Sequence, residues 1–244
     1  MIDAIANNFK AFSHTDMSKL TLDRLSSHVT KHIPLDDLRS RLERYPNVLK
    51  THSHGRLDNF FIGSSQLSKF IEGLFEDSKI FYIHRDGRDV LTSLYFYVKS
   101  FNKNLGEVCF SDFIRMNNDF DHETYIGNLD RISYWLYHVE TWLAREDIFL
   151  LSFNDLLYDY QNTLRRISQH IGLPLPKTIV NVIRDNAVNT FAERIKRKLH
   201  LGIRYSTVYF RKGQSGDWIN HFSTEDRIYF EAKAGYMNDK LGYK

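Results

Sequence analysis

Apolar positions along this chain recur with two periods. Asn47 to Thr51, Lys79 to Ile83 and Ile148 to Ser152 are short apolar runs of the length of buried strands, and each is followed by polar residues and then a helical pattern. After the second run, Val90, Leu91, Leu94 and Val98 recur at helical spacing, with Gly87 in the connecting turn. Ile132, Trp135, Leu136, Val139 and Leu143 mark another amphipathic helix, and Leu164, Ile167 and Ile171 a third that stops at Gly172 and Pro174. Strands alternating with helices predict an α/β fold, a parallel sheet flanked by helices. Ligands of such sheets bind at the carboxyl ends of strands, so the residues just after Thr51, Ile83 and Ser152 are the first places to look for a site. From Leu199 onward the periods fade. Aromatic, basic and glycine residues around Arg211-Lys-Gly-Gln-Ser-Gly-Asp-Trp218 predict a long loop before a final helix at Thr224 to Leu241. Ser223 or Thr224 could cap that helix, and Glu225 and Asp226 suit its first turn.

Composition narrows the picture. The chain has 244 residues, 42% hydrophobic and 14% aromatic, enough for one substantial core, and no repeat or linker divides it. A single domain over residues 1–244 is the expectation. The net charge of +3 and pI of about 8.8 suit a phosphate-bearing small molecule or nucleic acid equally well. With Cys109 as the one cysteine, neither an internal disulfide nor a thiolate zinc cluster can form within the chain, which favours a reducing compartment. The first ten residues lack a signal-peptide pattern, and no apolar segment reaches the roughly 18 residues of a membrane span. A soluble, cytoplasmic protein with no membrane partner is expected.

Three segments could carry chemistry. In Val48-Leu-Lys-Thr-His52 a strand delivers Lys50 and His52 to its carboxyl end: a histidine can accept a proton near neutral pH, and a lysine can stabilise developing negative charge. A surface loop histidine would look the same. His52 and His54 form a His-x-His pair without a further ligand set for a metal. In Ile80-Phe-Tyr-Ile-His-Arg-Asp-Gly-Arg-Asp-Val-Leu-Thr-Ser93, strand, turn and helix place Arg85 to grip a phosphate and Ser93, about two turns on, to add a hydroxyl. Ion pairs of Arg85 or Arg88 with Asp86 or Asp89 would give the same residues a purely structural use. A protein-kinase catalytic loop fails at Leu91, where an asparagine is needed, and Gly213-Gln-Ser-Gly216 misses the spacing of a hydrolase nucleophile elbow. In the third segment, Arg211 and Lys212 beside glycines form either an anion cradle or a basic surface turn.

Together the three segments resemble the cytosolic-type sulfotransferases that use 3′-phosphoadenosine 5′-phosphosulfate. Arg211-Lys-Gly213 followed by Gly216-Asp-Trp218 matches the family's Arg-Lys-Gly-x-x-Gly-Asp-Trp segment, and the other two segments come in the family's order, so that the similarity is strongest over 47–244. The resemblance implies a P-loop nucleotide-kinase-like sulfotransferase fold and a donor whose 3′-phosphate is held by Arg85, Ser93, Arg211, Lys212 and Gly213. It implies His52 as the base that takes the acceptor's proton and Lys50 as the group that steadies the transferring sulfuryl. Phe191 is the counterpart of a family aromatic near adenine; Phe153 stands where the family often has tyrosine and can pack but cannot donate a hydrogen bond. The implied reaction is direct in-line transfer to a hydroxyl or amine of a small acceptor, leaving adenosine 3′,5′-bisphosphate and needing no metal.

One family feature is missing from the pattern. No Pro-Lys-x-Gly-Thr-Thr-Trp segment precedes Lys50, and the first glycine is Gly55, so the loop that holds the 5′-phosphosulfate has no counterpart. The expectation is a chain that begins late, N-terminally truncated or with a misassigned start, or else a degenerate paralogue. The alternative function is therefore a non-catalytic protein that keeps the 3′-phosphate pocket and binds adenosine 3′,5′-bisphosphate or a coenzyme A-like nucleotide. Nucleic-acid binding through the basic stretch Arg194 to Arg204 is set aside, because Ile195, Leu199, Leu201 and Ile203 make it a solvated face beside an apolar contact. A homodimer is left open by Ile219-Asn-His-Phe-Ser-Thr-Glu225, which only partly resembles the dimer-forming motif of animal relatives.

Overall fold

The computed structural model describes His52, residues 54–56, 69, 73, 75–102, 105–117, 128–175 and 213–244. The strand expected at Asn47 to Thr51, and with it Lys50, Phe191, Arg211 and Lys212, lies outside the described residues. The chain divides into two compact units, one of Met1–Tyr82, Glu140–Leu151 and Asp159–Val182, the other of Ile83–Val139, Ser152–Tyr158 and Ile183–Lys244.

β1 (Ile80–His84), of which Ile80–Tyr82 belong to the first unit, pairs with β2 (Ile148–Ser152), of which Ile148–Leu151 do, in a parallel sheet flanked by helices. β2 has the bounds its apolar run predicts, whereas β1 starts one residue late, at Ile80, and runs on to His84. The reason is burial. Lys79 is exposed, while His84 continues the alternation that buries Ile80 and Tyr82. Phe81 and Phe149 meet edge to face with ring centroids 5.6 Å apart, and the ring of His170 packs on both. That histidine comes from a helix spanning Tyr160–Ile171, whose apolar stripe buries Leu164 and Ile167. The helix ends where the sequence predicts, at a left-handed Gly172 with φ 72°, and the amides of Gly172 and Leu173 both return to the carbonyl of Ser168.

In the second unit, α1 (Gly87–Phe101) follows β1 and buries Leu91 and Val98. Val90 and Leu94, on the edges of the same stripe, are half-buried. α2 (Phe110–Arg115) buries Phe113 and Ile114, and α3 (Arg131–Leu143), which belongs to this unit as far as Val139, brings Ile132, Trp135 and Val139 inside. Burial of each such side chain stabilises by about 1.5–3 kcal/mol. α4 (Phe153–Tyr158) follows β2 directly and buries Phe153 and Leu156.

The last segment departs from its predicted form. One helix is expected from Thr224 to Leu241, but a π turn at Glu231–Gly235 separates an α-helix over Thr224–Phe230 from another over Tyr236–Lys240. Ser223 is the cap, in a reciprocal capping box with Asp226. The Glu231 carboxylate folds back beside Gly235 and reaches Arg88 at 3.5 Å.

Candidate functional site

The turn between β1 and α1 is the centre of the second unit's polar structure. Asp86 caps α1 by accepting the Arg88 amide at 2.9 Å, and the Arg88 side chain folds back onto the same carboxylate through Nε at 3.0 Å and Nη2 at 2.9 Å. Asn238 completes this corner, donating to Asp86 at 2.9 Å and accepting from the Gly87 amide at 2.9 Å. The Arg88 guanidinium also lies 4.0 Å from the Trp218 ring centroid and donates to the Lys244 carbonyl at 3.0 Å. Arg88 is therefore held on every side by the protein itself. Glycine is required at 87 because a Cβ would come within 2.8 Å of the Trp135 ring.

Arg85 is arranged differently. Its Nη2 donates to the Gln214 carbonyl at 2.9 Å and stands 3.4 Å from Asp89, and its guanidinium lies 4.5 Å from the Phe153 ring centroid. Its Nε is buried and has no hydrogen-bond partner among the described residues. A buried, charged donor left open costs free energy.

Asp89 joins this corner to the glycine-rich loop. Its carboxylate accepts from the amides of Gly216 at 2.8 Å and Trp218 at 3.1 Å and from the Ser215 hydroxyl at 3.3 Å. Gly213 at φ 62° and Gly216 at φ 86° take the left-handed conformation that lets the loop turn its amides inward. The Gly216 amide thus serves Asp89. Ser93 is half-buried two turns along α1, while Thr92 beside it gives its hydroxyl to the Arg88 carbonyl at 2.8 Å.

Behind the turn, the Tyr243 hydroxyl sits 3.0 Å from Nδ1 and 3.2 Å from the carbonyl of His84, and 3.3 Å from the Ser152 hydroxyl. Burial pushes the His84 pKa down to about 4 against the opposing charge of Asp155, and burial pushes that of Tyr243 up to about 12. His84 is neutral at pH 7 and belongs to the packing.

The first unit carries the other candidate. His52 is exposed in its loop. His54 is fully buried, with its Nδ1 accepting the Arg56 amide at 3.3 Å, and Gly55 donates to the Thr141 hydroxyl at 2.9 Å. Gly55 packs against backbone, since a Cβ would lie 2.5 Å from the Thr141 carbonyl. The two histidines of the His-x-His pair thus differ sharply in exposure. Among the described residues no three His, Cys, Asp or Glu side chains gather as a metal site, and no helix is long and apolar enough to cross a membrane.

Residues 62–234 match the family model of the sulfotransferase domain. The chain belongs to the sulfotransferase domain family. Over 172 residues this sulfotransferase-family chain is 29% identical to a guinea pig (Cavia porcellus) 3-alpha-hydroxysteroid sulfotransferase, covering 65% of the chain and 57% of that protein. It is 28% identical to human Sulfotransferase 2A1 over 158 residues, 60% of the chain and 51% of the relative. A flavonol sulfotransferase-like protein of Flaveria bidentis is 27% identical over 176 residues, 64% of the chain and 55% of the relative. The chain spans about half the length of the curated relatives it matches. Its fold is similar to the crystal structure of mouse sulfotransferase SULT7A1 complexed with PAP, with TM-score 0.51 and 17% identity over 82% of this chain and 68% of that one. At that identity the likeness speaks for the fold alone: the parallel α/β architecture of sulfotransferases.

Within this sulfotransferase domain, Arg85, Phe153 and Gly213 fall in the second unit, and Arg85 touches both the Phe153 ring and the loop that begins at Gly213. His52 falls in the first unit. Sequence reasoning missed the Gln214 carbonyl and treated Asp89 only as a candidate ion-pair partner. The available signal was the i, i+4 spacing of Arg85 and Asp89 across a helix start.

Proposed function

We propose that the chain is the sulfotransferase domain of an enzyme that takes its sulfuryl group from 3′-phosphoadenosine 5′-phosphosulfate and passes it to a hydroxyl or amine of a small acceptor. Arg85, Ser93, Arg211, Lys212 and Gly213 hold the 3′-phosphate, and Phe153 and Phe191 supply aromatic surface. His52 removes the acceptor's proton as its oxygen or nitrogen attacks sulfur. The bond from sulfur to the 5′-phosphate oxygen breaks in line, and Lys50 steadies the negative charge on the sulfuryl oxygens. Adenosine 3′,5′-bisphosphate is left. The observation that carries this reading is the buried Nε of Arg85, which has no hydrogen-bond partner among the described residues. Family membership supports the reaction class.

Calorimetric titration of the 244-residue chain with adenosine 3′,5′-bisphosphate tests it. Wild type binds, and Arg85→Ala binds about 10–100-fold more weakly, the worth of a hydrogen bond between charged groups. Equal affinity of the two proteins, or no binding by folded wild type, overturns it. Binding without sulfuryl transfer to any hydroxyl or amine acceptor favours the second reading, a non-catalytic protein that recognises the bisphosphate or a related nucleotide.

A further inference from the structure

A carboxylate beside an anion-binding arginine needs an explanation. Asp89 is 1% exposed and its Oδ2 stands 3.4 Å from Arg85 Nη2, where Coulomb's law sets it against a phosphate held by Arg85. If anion affinity were a matter of charge alone, a neutral residue would serve better at this position.

What Asp89 does is gather donors from two separate segments. Oδ2 accepts the Gly216 amide at 2.8 Å and the Ser215 hydroxyl at 3.3 Å, Oδ1 accepts the Trp218 amide at 3.1 Å, and Arg85 balances the charge. The loop returns the contact, since the Gln214 carbonyl accepts from Arg85 at 2.9 Å. Arg85 and the loop therefore fix each other through Asp89, and the loop backbone runs without a break from Gly213, the neighbour of Arg211 and Lys212. Ordering a glycine-rich loop costs about 1–2 kcal/mol per residue, a cost that falls on ligand binding unless the loop is already held.

We propose that Asp89 is the positioning residue of the 3′-phosphate pocket: it sets Arg85 and the Gly213–Trp218 loop in their working arrangement before the nucleotide arrives. This rests on the nucleotide reading above.

The test titrates wild type and Asp89→Asn, an isosteric change, with adenosine 3′,5′-bisphosphate and with adenosine 5′-monophosphate, which lacks only the 3′-phosphate. Wild type prefers the bisphosphate. Asp89→Asn weakens the bisphosphate about tenfold, the loss expected when charged hydrogen bonds are removed, and leaves the monophosphate unchanged, so the preference collapses. The sign is informative, because removing a negative charge should by Coulomb's law tighten anion binding. Bisphosphate affinity equal to or tighter than wild type overturns the role of Asp89 while the pocket stands. Equal weakening of both ligands also overturns it, since that is what general loosening would do. A folded wild type with no preference for the bisphosphate removes the nucleotide reading itself, and the inference with it. Should Asp89→Asn fail to fold, amide exchange in ligand-free wild type decides: slow exchange at Gly216 and Trp218 supports prior positioning, and fast exchange that slows only with the bisphosphate overturns it.

Discussion

Arg85 and Arg88 leave the same turn, yet their surroundings differ in kind. Arg88 has a bidentate partner in Asp86, a carbonyl at Lys244, a carboxylate at Glu231 and the face of Trp218. Arg85 has one carbonyl, a longer approach to Asp89, the face of Phe153 and a buried Nε with no partner among the described residues. Residue type and sequence neighbourhood do not separate them, and neither does burial of the turn as a whole. The separation lies in whether the donors are satisfied. Arg88, held through Nε and Nη2, is part of the scaffold, whereas Arg85 keeps a buried donor without a hydrogen-bond partner among the described residues.

The comparison breaks first at Arg88. Arg88→Ala leaves the buried Asp86 carboxylate without its cation and is expected to cost about 3–5 kcal/mol in urea unfolding. Arg85→Ala also takes a cation from a buried carboxylate, but that pairing is the longer one, at 3.4 Å, against the two-pronged contact of Arg88 with Asp86, so the cost should be smaller. Equal losses would erase the distinction between scaffold and site.

A smaller effect comes from His84, on the scaffold side of the turn beside Tyr243 and Asp155. Its folded pKa of about 4 lies below the ordinary 6.5, so between those values the unfolded chain binds more protons than the folded one. Stability therefore rises with pH across that window and is lost on acidification, by roughly 3 kcal/mol over its full width. Urea midpoints measured from pH 7 down to pH 4.5 should fall less steeply for His84→Gln than for wild type. Identical acid limbs would mean that carboxylates elsewhere account for the loss.

How much of this was legible beforehand follows from what each feature depends on. β2, α1, α3 and the Gly172 stop were readable because each rests on local periodicity or a glycine conformation. Arg85 could be singled out as a candidate phosphate ligand from its place at a strand end. The pairing of Arg88 with Asp86 and of Arg85 with Asp89 was foreseen only as one of several combinations, since the choice is made by Asn238, Gln214 and Trp218, which lie far along the chain. The π turn was not legible either. Glu231, in that turn, reaches Arg88 at 3.5 Å, a tertiary contact that no helical period encodes.

The finest test of the comparison is Gly87→Ala. Gly87 sits between the two arginines, its amide bonded to Asn238 on the scaffold side and its α-carbon facing the Trp135 ring. A Cβ at 2.8 Å from that ring must displace it, and Trp135 packs on Phe230 with centroids 5.7 Å apart, so the strain passes into the core rather than toward the loop. Overpacking of this kind costs about 1–3 kcal/mol. If scaffold and site are separable, the cost appears in urea unfolding while affinity for adenosine 3′,5′-bisphosphate stays within a factor of about two. The Gly87→Ala and Arg85→Ala effects on stability should then add to within roughly 0.5 kcal/mol. An affinity loss as large as that of Arg85→Ala would mean that the turn moves as one piece, with the open donor of Arg85 held in place by the same contacts that close around Arg88.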